Sequence, residues 1–404
     1  MAKRSIIALA LAVIALLVIG FVMLASASYY TPEGAGADDV AMLWKQVVWF
    51  GVAIIAAGWC CLMNYERFIE WRWWLFGIAV VTLILCYVPG VGLKINGAKR
   101  WISAELAGHK EFRVQPSEFA KIALIIALAA WYAKHEQLVR TFKKGFLIPA
   151  ALVVVITGLI GGEMDLGSAL ITATLGMSMM LVAGAKWRYM PLIGVSAVAA
   201  LVIMVMITPN RMYRVIGFAS EIPVLSEIVK LEDLPKEVQK EIEEKKTQQR
   251  HSRYAFGSGG IEGAGPGQGR MKMYSLPEAH TDFIFALVGE ELGLRGTLIA
   301  VFSFVMIVIS GMCIAAYAPN RFGKLLGFGL TTLFGLEGLL NMGVTTDVLP
   351  NKGLPLPFVS YGGSSLLMAM ISIGILCNIY RQGVHVSLAD LPVIRRRNRW
   401  TPQV

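Results

Sequence analysis

The chain has 404 residues, of which 56% are hydrophobic and only 16% are charged, and its mean hydropathy is +0.62. This balance excludes an ordinary water-soluble domain and is typical of a polytopic membrane protein. The formal charge of +10 does not favour nucleic-acid binding, because the basic residues of a membrane protein concentrate in its cytoplasmic loops. The five cysteines lie in apolar runs without metal-ligand spacing, which indicates buried thiols.

Ten runs satisfy the requirement for a transmembrane helix, which is about 20 mostly apolar residues. They lie near residues 5–28, 43–63, 71–92, 117–134, 146–162, 165–184, 190–208, 295–317, 325–345 and 360–380. The first run is too long for the apolar part of a signal peptide and is predicted to remain as the first span. The sequence therefore predicts one all-α polytopic membrane domain, residues 1–404, with about ten transmembrane helices.

Lysine and arginine predict the orientation of these helices. With the N-terminus inside, every short inner loop is basic, as is the C-terminal tail at 382–404. The first outer loop is acidic, with Glu33, Asp38 and Asp39. Both termini are predicted to be cytoplasmic.

The stretch 281–316 is too long for one span and short for two, and it is interrupted by glycines at 293–296. Two full spans would invert the orientation of everything downstream. We therefore predict a short helix over 281–292 that dips into the outer leaflet. This short helix forms the C-terminal part of a large predicted extracytoplasmic loop, residues 209–294.

Two outer loops are basic against the rule. The loop at 93–116 places Lys99 and Arg100 beside Trp101. Lipid headgroups would explain such cations simply, but the mixture with acidic and aromatic residues favours a phosphate-bearing substrate.

The long loop contains two further patterns. Asp233 and Pro235 predict the start of a solvated or interfacial amphipathic helix. A glycine-rich stretch follows, from Gly257 to Gly269. A flexible loop is its simpler interpretation, and a lid or an anion-binding nest is the alternative.

An ionisable cluster precedes the apolar run that begins at Phe283. It contains His280 and Asp282, and Glu290 and Glu291 follow about two helical turns later. Such groups are costly at a membrane boundary and indicate function. Asp282 is the first candidate, and the alternative is that it caps the helix after it.

Other polar residues lie inside the predicted spans. Glu118 and Lys121 share a helical face, either as a structural ion pair or as site residues, and Ser117 is a candidate helix cap. Asp165 could equally be a plain cap. With phosphate, the carboxylates Glu118, Asp165 and Asp282 could hold a divalent cation, Mg²⁺ or Mn²⁺.

The outer loop between the ninth and tenth predicted spans, residues 346–359, contains Pro350, Gly353, Pro355 and Pro357, and we call it the proline-rich connection. Lys352 lies within it, and Ser360 opens the last span. An irregular, rigid segment of this kind is tolerated at membrane depth only beside protein or a wet cavity.

Six ordered motifs resemble the SEDS family (shape, elongation, division and sporulation), and within it the cell-division branch more than the elongation branch. They are Asn96-Gly-Ala-Lys-Arg-Trp-Ile102, Gln115-Pro-Ser-Glu-Phe-Ala-Lys121, Asp165-Leu-Gly, Pro277-Glu-Ala-His-Thr-Asp-Phe-Ile-Phe285, Gly289-Glu-Glu-Leu-Gly293 and Lys352-Gly-Leu-Pro-Leu-Pro-Phe-Val-Ser-Tyr-Gly-Gly-Ser-Ser365.

The resemblance implies a glycosyltransferase that polymerises lipid II into peptidoglycan outside the cytoplasmic membrane, at the division septum. Its implied partners are a class B penicillin-binding protein, which acts as transpeptidase, and other division proteins. The essential Asp of the family maps onto Asp282, and its functional Glu, Lys and Asp map onto Glu118, Lys121 and Asp165. Where the family usually reads Gln-Pro-Asp-Leu-Gly, this chain has Glu163 and Met164 before the Asp, which puts the local start of the helix in doubt.

The implied chemistry needs a base for a sugar 4-hydroxyl and positive charge for the departing pyrophosphate. Asp282 is the candidate base; Arg100, Lys121 and Lys352 are the candidate cations. A lipid II flippase and a non-catalytic scaffold for the transpeptidase are the alternatives.

Small residues in the eighth and ninth spans suggest where the transmembrane helix of the transpeptidase docks. They include Gly327, Gly335 and Gly338, which lie on an apolar face together with Phe328. Packing inside the bundle is the simpler interpretation of any one glycine.

Overall fold

The computed structural model describes residues 2–28, 37–95, 98–106, 109–191, 236–271, 281–349 and 353–389. Nine helices within these ranges are long and apolar enough to cross a membrane, which confirms the predicted polytopic helical fold. The helices are α1 (Ala2–Ser28), α2 (Ala37–Leu62), α3 (Arg67–Leu85), α4 (Pro116–Lys134), α5 (Ile148–Gly162), α6 (Leu166–Ala183), α7 (Lys236–Gly259), α8 (Ile284–Glu291), α9 (Gly293–Ala316), α10 (Arg321–Thr345) and α11 (Gly363–Ala389).

Nine of the ten predicted spans coincide with these helices. The seventh, 190–208, lies outside the described residues apart from 190 and 191, so the count of ten stays a prediction. The predicted third span, 71–92, was wrong at both ends, because α3 runs from Arg67 to Leu85. Apolar residues continue beyond its end into a turn around Gly90, whose φ of 89° does not suit a helix.

The basic loop predicted at 93–116 contains a small antiparallel sheet. Its strands β1 (Gly92–Ile95), β2 (Ala98–Leu106) and β3 (His109–Val114) lie in the order β1-β2-β3. Successive side chains of a strand point to opposite faces, and on β2 Lys99 is exposed whereas Arg100 and Trp101 are half-buried. These three predicted site residues therefore lie next to one another on the central strand of the sheet.

Helix α4 forms the centre of the bundle. Of its membrane-spanning window 83% is buried, against 17% for α2 and for α3, which lie at the periphery. Many of its residues are alanines, and their small side chains let neighbouring helices approach closely. Polar residues in the first turn of α4 therefore face protein and not lipid.

The short helix predicted over 281–292 is confirmed as α8, all eight residues of which are buried. It ends where α9 begins, at Gly293, which has a φ of +64°. A Cβ at this position would overlap the backbone of Gly263. Glycine is required here both by the left-handed backbone and by the close approach of the glycine-rich segment.

The glycine-rich segment is held down by the two carboxylates that follow it in the sequence. The backbone N–H groups of Gly267, Gly269, Arg270 and Met271 donate to Glu290 and Glu291 at 2.6–3.3 Å. The Ser26 hydroxyl donates to Glu291 at 2.6 Å. The predicted anion nest exists, but its anions are these buried side chains. Glu290 and Glu291 therefore fix the structure here and are not free to act on a substrate.

Helix α7 was predicted to be solvated or interfacial, and this is wrong for its C-terminal half. Ser252 is fully buried and donates to the Thr345 carbonyl at 2.6 Å, and Phe256 packs on Phe285 with ring centroids 5.5 Å apart. The predicted start at Asp233 and Pro235 lies outside the described residues. The helix thus ties the long loop to α8 and α10.

The small residues of α10 that suggested a docking face lie inside the bundle. A Cβ at Gly327 would lie 2.9 Å from Ala315, and one at Gly338 would lie 2.7 Å from Phe304, both on α9. These glycines let α9 and α10 pack closely, so they do not mark a surface for a partner.

Candidate active site

Two hydrogen-bonding side chains hold the backbone around Asp282. Asn341 on α10 donates through Nδ2 to the carbonyl oxygens of Asp282 (3.0 Å) and Leu354 (2.6 Å). Ser360 donates to the Thr281 carbonyl at 2.6 Å. The start of α8, the proline-rich connection and α10 therefore meet at Asp282.

The carboxylate of Asp282 lies against the backbone of the proline-rich connection. A Cβ at Gly353 would overlap Asp282 Oδ2. Helix α8 begins at Ile284 with Phe283 in the N-cap position, which places Asp282 one residue before the cap. The side chain of Asp282 is half-buried, and this position does not favour the alternative that it serves only as a helix cap.

Ser360 occupies a structural position. It is 6% exposed, and besides donating to Thr281 it accepts the N–H of Leu356 at 2.7 Å. As a residue of the motif from Lys352 to Ser365, Ser360 is predicted to contact substrate. Both hydrogen bonds instead favour a role in holding Thr281 and the neighbouring Asp282 in place.

Glu118 and Lys121 belong to a buried cluster of three charges. Lys121 Nζ donates to Glu118 Oε1 at 2.8 Å and also to Glu337 Oε1 on α10. All three residues are at most 8% exposed. The predicted ion pair is confirmed, and Glu337 is the partner that the sequence interpretation missed, although any ionisable residue inside a span is a candidate for function.

Ser117 does not cap α4. The N-cap residue is Gln115, and Pro116 occupies the first helical position, where its missing N–H costs nothing. The Ser117 hydroxyl is buried and has no hydrogen-bond partner among the described residues.

Asp165 caps α6 and also faces the sheet. Its carboxylate accepts hydrogen bonds from the Ser168 N–H (3.1 Å) and hydroxyl (2.9 Å). Arg100 Nη1 on β2 lies 3.8 Å from Asp165 Oδ2, the oxygen that also accepts from the Ser168 hydroxyl. A Cβ at Gly167 would lie 2.8 Å from Leu354, so this end of α6 contacts the same connection as Asp282.

The turn before Asp165 is unusual. Met164 has a φ of +67°, which a proline in the family pattern could not adopt. The helix itself starts normally, with Asp165 as its cap. The pKa of Glu163 is raised to about 8, mainly because the side chain is buried. The Cys86 thiol, a weak hydrogen-bond donor, lowers this pKa. The negative charge of Asp165 raises it, and the positive charge of Arg100 lowers it.

The three carboxylates predicted to share a cation do not form a ready-made site. Within the described ranges no group of three or more His, Cys, Asp or Glu side chains is placed to hold a metal ion. Glu118 is engaged by Lys121, and Asp165 by Ser168. The residues present therefore do not fit a resident metal centre.

The remaining predicted residues divide into two groups. Lys99 and Trp101 lie on β2 beside Arg100. His280 and Lys352 lie outside the described residues. Sequence interpretation also missed Asn341, whose spacing of four residues from Glu337 on α10 would have placed both on one helical face.

Comparison with known proteins gives consistent matches along the chain. The FtsW/RodA/SpoVE family model, described as "Cell cycle protein", matches residues 7–385. "Probable peptidoglycan glycosyltransferase FtsW" of Trichlorobacter lovleyi is 36% identical over 371 residues, covering 92% of both chains. "Stage V sporulation protein E" of Bacillus subtilis is 31% identical over 368 residues, covering 91% of this chain and 94% of its own.

Two solved structures share the fold. One, described as "Structural coordination of polymerization and crosslinking by a peptidoglycan synthase complex", has a TM-score of 0.69 and 26% identity, covering 93% of this chain and 97% of that one. The other, the rod shape determining protein RodA of Thermus thermophilus, has a TM-score of 0.63 and 24% identity, with 93% and 96% covered.

Proposed function

The chain belongs to the FtsW/RodA/SpoVE family of cell cycle proteins, and we propose that it is a peptidoglycan glycosyltransferase that polymerises lipid II during septal cell-wall synthesis. Relatives named as peptidoglycan glycosyltransferases support the activity. The single observation that carries the assignment of the site is the half-buried Asp282, held by Asn341 and flanked by the start of α6.

In the reaction the 4-hydroxyl oxygen of the acceptor sugar forms a bond to the anomeric carbon of the donor. The bond from that carbon to undecaprenyl pyrophosphate breaks, and the leaving group takes the electron pair. Asp282 accepts the hydroxyl proton. General-base catalysis of this kind contributes roughly 100- to 10,000-fold.

Arg100 supplies positive charge for the pyrophosphate. Its side chain, on the central strand of the sheet, is 28% exposed. Lys121 had been a second candidate, but it is buried between two carboxylates and does not face a substrate. Lys121 instead keeps α4 and α10 in register. Helix α10 carries Asn341, which holds Asp282.

A divalent cation enters this proposal with the substrate. Mg²⁺ is commonly bound by phosphate oxygens and one or two carboxylates, and it does not need a preformed cage. Pyrophosphate can therefore bring Mg²⁺ or Mn²⁺ to the site without the three-carboxylate centre that the structure lacks.

The protein is a multi-pass membrane protein. We place both termini in the cytoplasm and the Asp282 end of the bundle at the outer face of the inner membrane, at the septum. A class B penicillin-binding protein is the proposed partner, with other division proteins. One structural neighbour is described as a synthase complex that coordinates polymerisation and crosslinking, which supports a partner of this kind.

The decisive experiment is polymerisation of lipid II by the purified protein and by Asp282→Asn. We expect the wild type to form glycan polymer and the variant to lose at least about 100-fold in rate. Asn is also a good helix cap, so an active, well-folded Asn variant would show that Asp282 is not the base.

The same preparation separates the rival functions. A flippase would move lipid II across vesicle membranes without forming polymer, and a scaffold would do neither. Polymer formation by the protein alone contradicts both.

A further inference from the structure

Glu163 is a buried carboxylate without a normal hydrogen bond. It is 1% exposed, and apart from the weak thiol donor Cys86 neither of its oxygens has a hydrogen-bond partner among the described residues. Leaving such a group unpaired destabilises the folded protein. Native proteins contain few such groups, and each one requires an explanation.

A second unpaired group lies in the same place. Arg100 Nε is also buried without a hydrogen-bond partner within the described ranges, and the guanidinium is close enough to interact electrostatically with Glu163. Its ion pair with Asp165 is loose, at 3.8 Å. Donors and acceptors without partners therefore line one polar site between β2 and the turn joining α5 to α6.

This site adjoins the proposed reaction centre. The turn leads into α6, where Gly167 contacts Leu354, and the neighbouring Gly353 contacts the carboxylate of Asp282. Met164, the next residue after Glu163, has the strained φ of +67°. Strain and unsatisfied polar groups tend to be retained where they serve binding or catalysis.

The charges of the site select its ligand. Two carboxylates share one guanidinium, so the space around Glu163 and the buried Arg100 Nε has no net positive charge with which to hold a phosphate group, whereas the exposed part of the Arg100 side chain remains available to the pyrophosphate. A metal ion would meet the Arg100 guanidinium beside Asp165. A neutral group that both donates and accepts satisfies Glu163 and Arg100 together.

We propose that Glu163 and Arg100 form a subsite for a sugar hydroxyl or acetamido group of the lipid-linked substrate. This rests on the proposed function, because the sugar is that of lipid II. Glu163 then contributes to affinity for the disaccharide and not to affinity for the lipid pyrophosphate.

The test measures binding by the full-length protein carrying Asp282→Asn, so that turnover does not interfere. Glu163→Leu is added, and the affinities for lipid II and for undecaprenyl pyrophosphate are compared. We expect the Leu variant to bind lipid II at least about tenfold more weakly and undecaprenyl pyrophosphate unchanged. The proposal would be overturned if Glu163→Leu weakened the binding of both ligands equally, or if it changed the affinity for neither.

Thermal unfolding in detergent provides the control for folding. Removing an unpaired buried carboxylate should leave the melting temperature unchanged or raise it. The matched control Glu290→Leu removes a buried carboxylate that accepts backbone hydrogen bonds, and it should lower the melting temperature. A Glu163→Leu protein that fails to fold would show a structural role instead and would contradict the subsite.

The two proposals fail separately. Absence of polymer formation by the wild type refutes the glycosyltransferase assignment. Ligand-independent behaviour of Glu163→Leu refutes only the sugar subsite.

Discussion

At the scale of single residues, burial separates the charges that act from those that hold the structure. Asp282 is half-buried and Arg100 is partly exposed, so a substrate can reach both. Glu118, Lys121 and Glu337 are enclosed. A buried ion cluster is not in itself strongly stabilising, but removing one member leaves the others uncompensated.

Lys121→Met should therefore destabilise the protein by about 3–5 kcal/mol, because two carboxylates lose their common partner. Thermal unfolding of the purified variant measures this. Adding Glu118→Gln and Glu337→Gln should restore folding, since no charge is then left buried. A triple variant no more stable than Lys121→Met would contradict this account.

Exchanging Glu118 and Lys121 would not by itself distinguish a structural ion pair from a pair that contacts substrate. The exchange would place a glutamate at position 121 facing Glu337, and this repulsion disrupts the protein whether or not the pair contacts substrate. We expect the exchanged protein to be less stable than wild type in the same unfolding assay. Wild-type stability would show that Glu337 is not the partner.

At the scale of elements, the hydrogen bonds between Glu291 and the glycine-rich segment, which we call the clasp, can be tested directly. Glu291→Ala removes hydrogen bonds from Gly267, Gly269 and Ser26. We expect faster hydrogen exchange of the Gly267 and Gly269 amides and a loss of stability of about 1–3 kcal/mol. Glu262→Ala is the control, because Glu262 is 77% exposed in its ion pair with Arg295. Similar exchange in both variants would argue against the clasp.

The exposed face of α9 replaces the glycines as the proposed docking surface for the transpeptidase helix. Phe302 and Val305 are 65% and 46% exposed there. Val305→Trp should reduce copurification of the class B penicillin-binding protein by about threefold or more without changing protein level, because close helix packing does not accommodate the larger side chain. Val154→Trp on α5, at a position 54% exposed, is the matched control. Equal loss in both variants would place the partner elsewhere.

At the scale of the whole molecule, the proposed reaction develops negative charge on the departing pyrophosphate inside a largely apolar protein. Excess chelator should lower polymerisation by at least about tenfold, and Mg²⁺ or Mn²⁺ should restore it, since the departing charge needs compensation. The melting temperature of the protein without substrate should not change, because the cation arrives with the pyrophosphate. Full activity in chelator would leave Arg100 and other basic side chains as the only compensation.

Several features could be predicted from the sequence because they depend on neighbouring residues. The spans, the short helix α8 and the break at Gly293 follow from the length of apolar runs and from glycine. The sheet could also have been predicted. Ile102, Ala104 and Leu106 alternate with polar residues, and Asn96-Gly97 between β1 and β2 is a strong hairpin signal.

By itself the sequence determined that this is a multi-pass membrane protein and that Asp282 is its leading catalytic candidate. Only the tertiary structure decided which charges pair, because the partners are far apart along the chain: 216 residues separate Lys121 from Glu337, and 265 separate Ser26 from Glu291. It likewise decided that Asn341 holds Asp282 and that Glu163 is buried with only the weak thiol donor Cys86 beside it among the described residues. Hydrophobic length is a local property, whereas the partner of a buried polar group depends on which helices become neighbours.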